Sequence, residues 1–386
     1  MHLPTLSVFA LLALPAMDAV AGAPAKNPAP VSPAGGGWRF SAGFMHRSLG
    51  DFDWTTGTMS MPSLLTIGLG SNTAGIDDIG PAGSLADRTY FNGFVRQDAG
   101  TAVNGGDTWN WGYNESSQLS GTTLSFLGGN GTSASFTQDH DYTDGSWSDD
   151  LSGNAPYLSA AWIAPWRDAL SFGFQGGLSF FSADAGRTHS TFTASRGRTD
   201  YAITYRDVYE LGTVIPPQAP YAGSAQGPGP LLPNTPISRT PLPVVSGGET
   251  VSAFNTIRTD FDLNLSTLSF GPVLEYASGP WAVTASTGLT VNFASWDVNQ
   301  HETLFVSRNG GTAAAQNTWN HHNDDTEILA GLFIEAAASR QLTPSWSLQF
   351  LGRYDWVDDF AVAAGPSTGS VDLSGWSLGL GVGFRF

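Results

Sequence analysis

The sequence predicts an all-β fold: a transmembrane antiparallel up-and-down β-barrel of about 12 strands, with 10–14 compatible with the pattern. Three observations predict it. Apolar residues recur with period two over stretches of membrane length. Tight connections alternate with long ones, as in a meander of hairpins. Beyond the N-terminus, no stretch carries the ~18 consecutive apolar residues of a spanning helix.

Composition narrows the class further. The 386 residues include 47 glycines and no cysteine, and 12% are aromatic. Charged residues make up 13%, about half the usual quarter. That composition argues against disorder, which goes with few aromatics. With 16 Lys and Arg against 33 Asp and Glu, the formal charge is -17, which repels phosphates and excludes nucleic acid as a partner. The absence of cysteine excludes a disulfide scaffold, thiolate metal sites and a cysteine nucleophile.

The N-terminus reads as an address. An apolar run, Leu3–Ala16, is followed by the small residues Ala19-Val20-Ala21, so 1–21 is predicted to be a signal peptide cleaved after Ala21. Residues 22–36 read as a flexible Pro/Ala/Gly lead-in. The barrel then spans 37–386, with strands at 37–47, 88–98, 107–115, 118–128, 131–141, 154–165, 169–183, 254–277, 281–297, 325–340, 344–357 and 371–386. The last strand shows the pattern best. Trp376, Leu378, Leu380, Val382, Phe384 and Phe386 alternate with Gly375, Ser377, Gly379, Gly381, Gly383 and Arg385. In 281–297, Leu289 belongs to the large apolar face and Gly288 to the small one. In a membrane barrel the large face meets lipid and the small polar face lines the lumen. Trp281 and Phe293, and Trp346 and Trp356, stand near strand ends, where interfacial aromatic girdles belong.

Short turns fall at 165–168, 278–280 and 341–344, and long connections at 184–253, 298–324 and 358–371. The Pro-rich segment 211–248 has nine prolines and is expected to fold over or into the barrel mouth as an unpaired lid.

The C-terminal Leu378–Phe386 resembles the terminal strand of Gram-negative outer-membrane β-barrels, porin-like proteins among them. The resemblance implies a bacterial outer-membrane location, contact with outer-membrane lipid, and an assembly signal at Val382, Phe384 and Phe386 read by the barrel-assembly machinery. Thr108–Tyr113 and Tyr221–Pro230 also resemble segments of bacterial barrel proteins, and that resemblance implies no activity.

Candidate chemistry is sparse. The lumen-facing set is mixed in sign: Arg39, Arg47, Arg353 and Arg385 against Glu275, Glu327, Glu335 and Asp355. Four aspartate pairs, Asp77-Asp78, Asp149-Asp150, Asp324-Asp325 and Asp358-Asp359, are expected in long extracellular loops, as soluble surface or as divalent-cation ligands. Asp139, Asp141 and Asp144 resemble a calcium loop only loosely. His301, His321 and His322 share a segment with Asp324 and Asp325, the composition of a loop-borne protease. Trp109, Trp111 and Tyr113 form either a sugar-stacking platform or a girdle.

The leading expectation is porin-like passage of small solutes, without enzymatic activity and without a cofactor. The alternative is a non-conducting surface barrel for adhesion or envelope structure, and the third reading is a barrel protease or lipase.

Overall fold

A computed structural model describes residues 37–61, 65–99, 105–167 and 169–385. The predicted signal peptide, the lead-in and Phe386 lie outside the described residues. Eight strands close a ring, each antiparallel to its neighbours: Gly37–Thr55, Ser146–Arg167, Leu170–His189, Ser238–Ser278, Trp281–Arg308, Ala314–Gln341, Trp346–Val357 and Gly375–Arg385. The last pairs with the first, from Arg39↔Arg385 to Leu49↔Gly375. A closed ring leaves no strand edge, which is what hydrocarbon demands of a spanning sheet.

These eight correspond to eight of the twelve strands expected from sequence. The other four, between 88 and 141, lie outside the ring, so the strand number in the wall is corrected to eight. Several ring strands also run far beyond a bilayer crossing of about 9–11 residues. Ser238–Ser278 has 41 residues and Trp281–Arg308 has 28. Much of what was expected as long loop is therefore strand. The 298–324 connection is a hairpin whose strands stop only at Arg308 and resume at Ala314.

The outer wall carries the apolar belt. Leu289, Phe44, Leu380, Phe270 and Ile328 are more than 60% exposed, an arrangement stable only against lipid. Trp38, directly opposite Trp162, marks the tight-turn end of this belt together with Trp281 and Trp346. Gly288 lies on the inner parity, but a Cβ there would collide with the Phe270 carbonyl oxygen and stand 2.7 Å from Gly271 Cα. This glycine is required by close strand approach, so an arginine at 288 is not the mild lumen change its parity suggests.

Above the belt the wall divides. Ser146–Arg167 pairs with Leu170–His189 only from Tyr157↔Ser179 downwards. Beyond that level Ser146–Asn154 pairs only with the first strand, while Phe180–His189 pairs only with Ser238–Ser278. The barrel thus becomes two facing sheets with a dry core between them. A register shift between Ser48 and Asp51 makes this core accessible to the first strand. Below the shift the odd residues Met45, Arg47 and Leu49 are buried, and above it the even residues Phe52 and Trp54. Inserting an extra residue in this way is the ordinary effect of a bulge.

A further extension grows from the outer part of Ser238–Ser278. Phe192–Glu210 pairs with its 238–254 portion, and Thr123–Tyr142 pairs with Phe192–Glu210. At the far end of this sheet sits a head with its own core, including Ile79, Tyr90, Trp111, Tyr113, Phe126, Tyr209 and Leu232. The Pro-rich segment belongs here. Its residues 221–222 pair with Trp111–Tyr113 and its residues 232–233 with Asp107–Thr108, and Leu232 is fully buried. The expectation of an unpaired lid over the mouth is corrected: 211–237 completes the head, and 238–248 is a strand. Pro241 and Pro243 are tolerated because this stretch pairs only with Phe192–Glu210. Spaced two apart, both prolines turn their nitrogens to the unpaired side.

Candidate functional site

Three places hold the side chains that could do chemistry: the lumen, the outer wall just above the lipid belt, and the head.

The lower lumen is polar and internally paired. Arg39 Nη2 donates to Glu275 Oε1 at 2.7 Å. Arg353 pairs with Asp355 at 2.7 Å and reaches Glu335 at 3.7 Å, with its guanidinium 4.3 Å from the centre of the Phe333 ring. Arg47, 1% exposed, donates to Thr267 Oγ1 at 3.0 Å and approaches Asp355 at 3.7 Å. Thr267 passes the chain on to Asn292 Oδ1 at 2.8 Å. Burial of charge is tolerable only with such pairing. Of the residues expected in the lumen, Arg39 and Glu275 form a separate pair, and Arg47, Glu335, Arg353 and Asp355 meet in this network. Glu327 shares the inner parity of Leu329 and Phe333 without joining it, and Arg385 lies at the tight-turn end.

Above the network the lumen is filled. Met45, Leu265 and Leu351 lie in one buried cluster with Phe52, Phe181, Phe261 and Trp296. Phe52 stacks on Phe261 and meets Trp147 edge-on at 5.3 Å. Over this cluster, residues 57–60 form a strap. Glu302 accepts from the Met59 amide at 2.7 Å, the Ser60 amide at 3.2 Å, Asn255 Nδ2 at 3.0 Å and the Thr58 hydroxyl. Gln300 donates to the Gly57 carbonyl at 3.1 Å. Eight strands give an interior just wide enough for side chains or one small ligand, and here side chains occupy the outer half. A lumen filled in this way lends the expected porin-like passage no support.

The outer wall brings acids together. Asp184, Asp262, Asp297 and Asp324 stand directly opposite one another on four consecutive strands. Like charges directly opposed are destabilising by ~0.2–1 kcal/mol. His322 stands within the row, with Nδ1 3.3 Å from Asp297 and 3.0 Å from Asn299 Oδ1, and Nε2 3.3 Å from Asp324. Of these four, only Asp324 was a sequence candidate. The row emerges from strand register, which no local pattern carries.

The aspartate pairs do not all lie in loops, as expected. Asp149-Asp150 and Asp324-Asp325 are in strands, whereas Asp77-Asp78 is in a turn and Asp358-Asp359 in a short connection. Among the described residues, no three His, Asp or Glu side chains are gathered so as to hold a metal ion. The three histidines are not brought together either. His301 faces Asn320, His321 lies against Gly365, and only His322 meets aspartates.

In the head, the two segments singled out by resemblance pack on each other. Trp109 Nε1 donates to the Ala225 carbonyl at 3.2 Å and Trp111 Nε1 to the Pro230 carbonyl at 2.7 Å. The Tyr113 hydroxyl donates to the Pro217 carbonyl. Trp111 and Tyr113 are buried, so neither a sugar-stacking platform nor a lipid girdle describes them. Beneath them Asp207 accepts from the Tyr90 hydroxyl at 2.6 Å and is gripped by Arg239 at 2.6 Å through two nitrogens. Burial pushes the Tyr209 phenol up to about 12, so this hydroxyl keeps its proton throughout the physiological range.

Of the assembly residues, Val382 faces lipid and the Phe384 ring centre lies 4.9 Å from that of Trp346.

No protein-family model matches the chain, and no curated protein does. Among solved structures, the outer membrane protease OmpT from Escherichia coli is similar over 92% of this chain and 98% of its own, at 8% identity and a TM-score of 0.25. An outer-membrane-expressed OmpT of Vibrio cholerae aligns over 69% of this chain and 99% of its own, at 8% identity and a TM-score of 0.11. The chain is a β-barrel of outer-membrane type. The expectation of a protein without enzymatic activity is corrected on the first of these likenesses, which is to a protease. At these TM-scores the alignments assign no residue a role.

Proposed function

We propose that this chain is a closed outer-membrane barrel that carries a folded β-head outside the cell for binding or adhesion. The observation that carries the reading is the pairing of a filled lumen with a separately cored head, joined by the strand Ser238–Ser278, which leaves the ring and pairs with Phe192–Glu210. Strands of 28 and 41 residues extend well past a bilayer, and such length serves projection rather than passage. Cells displaying the protein should adhere to surfaces or to one another better than cells displaying a Trp111→Ala/Tyr113→Ala variant at equal surface level. Equal adherence would count against the head as the working part.

A second reading, hydrolysis at the outer wall, is supported by His322 between Asp297 and Asp324, an arrangement able to activate water. Cleavage of a denatured protein substrate by the refolded barrel, lost in His322→Ala, would favour it. No cleavage by the wild type would remove it.

A further inference from the structure

Below the Arg353–Glu335 layer the lumen is not filled. A cavity of about 380 Å³ opens at the tight-turn end, which in the outer-membrane arrangement faces the periplasm. Its walls carry Ser41, Ser159, Ser171, Gln175 and Gln349, and Arg39 and Arg385 stand at its mouth. This volume falls in the range of small-molecule sites, and an eight-stranded barrel is wide enough to hold one small ligand.

The mouth is polarised by unequal pairing. Arg39 is tied to Glu275, whereas among the described residues no carboxylate lies within ion-pair distance of Arg385. The inner end holds a second unmatched group. The Tyr157 hydroxyl, in a residue 7% exposed, has no hydrogen-bond partner. It borders a small recess shared with Ser159, Gln175, Glu335 and Gln349, the last four of which also line the main cavity. A buried hydroxyl without a partner is costly and calls for one.

We propose that this cavity binds a small hydroxylated carboxylate from the periplasmic side. The carboxylate would sit on Arg385 beside Arg39, where a charge-assisted bond gives the stronger part of the affinity. Hydroxyls would face the serine and glutamine walls, and one would reach Tyr157. This site is independent of the head and of the outer wall, and it needs no opening through the plug.

The test uses full-length refolded protein in detergent and glucuronate as the probe, with glucose and glucosamine beside it, followed by calorimetry. Glucuronate should bind, and glucose and glucosamine should bind at least about tenfold more weakly, equivalent to ~1.4 kcal/mol. Arg385→Gln should weaken glucuronate by a similar factor and Arg385→Lys should recover part of it, both variants keeping heat-modifiable gel mobility. Should the variants misfold, glucuronate should still protect Arg385 of the wild type from phenylglyoxal, read by mass spectrometry. Equal binding of glucose and glucuronate, unchanged affinity in Arg385→Gln, no protection, or no binding of glucuronate up to about 10 mM, well past the weak end of the affinity scale, would each overturn the proposal.

Discussion

The rings of Phe52 and Phe261 lie face to face, with centroids 4.3 Å apart and planes 10° apart. One comes from the first strand and the other from the 41-residue strand across the lumen, so this stack joins the two sheets into which the wall divides. Both residues are at most 1% exposed. Phe261→Ala should therefore cost ~3–5 kcal/mol, the transfer energy plus the cavity left behind. Urea unfolding in detergent measures it, and a loss below about 1 kcal/mol would mean that the two sheets are held together elsewhere.

Leu289 and Gly288 are neighbours on opposite sides of the wall, and both should be intolerant of change for different reasons. Leu289→Arg places a charge against hydrocarbon and should cost roughly 2–4 kcal/mol near the midplane. Gly288→Ala should impair folding although alanine is small, because its Cβ meets the backbone of the neighbouring strand. Folding yield into lipid vesicles, read as heat-modifiable mobility, checks both. Normal yield for Gly288→Ala would show that the strand spacing there is wrong.

The head should fail separately from the barrel. Gly227 has φ +53°, and a Cβ there would collide with the Trp109 ring. Gly227→Ala combines the strain of a left-handed residue, on the order of 1–3 kcal/mol, with loss of the Trp109 seat. Protease digestion of the variant in intact cells should cut between 105 and 237 while the barrel remains heat-modifiable. Loss of both together would show that the head and barrel fold as one unit.

Acid should loosen the strap over the lumen. Burial alone would raise the Glu302 carboxyl, but hydrogen bonds from Ser60, Thr58, Asn255 and the Met59 amide outweigh it and hold the carboxyl below its ordinary range. A group depressed in the folded state contributes stability that is present above its unfolded value, about 4.3, and lost as pH falls through the folded value. Amide exchange at Met59 and Ser60, corrected for intrinsic rates, should accelerate below about pH 4.3. Glu302→Gln should remove this pH dependence. An unchanged acid profile in that variant would assign the effect to another group.

All eight ring strands were legible in the sequence because alternation and length together mark a membrane strand. The four strands misplaced before residue 141 show where that evidence stops. Trp109, Trp111 and Tyr113 alternate as a lipid-facing strand would, yet they build the head, since period two records a face and not what covers it. The inward charges from Arg39 to Arg385 could be placed by parity. Their pairing could not, because Arg39 meets Glu275 across 236 residues of chain. The proline-rich stretch misled for a physical reason as well: prolines bar a central strand but not an edge. The part that Phe52 and Trp54 play in the plug was invisible because a bulge after Ser48 switches which parity of the first strand faces inward.

Current through single molecules tests the closed barrel most directly. Refolded protein inserted in planar bilayers should give no stable stepwise conductance, because the cluster around Phe52, Phe261 and Trp296 fills the lumen above Arg353. Reproducible open-channel steps from the wild type, absent in protein-free controls, would contradict the account.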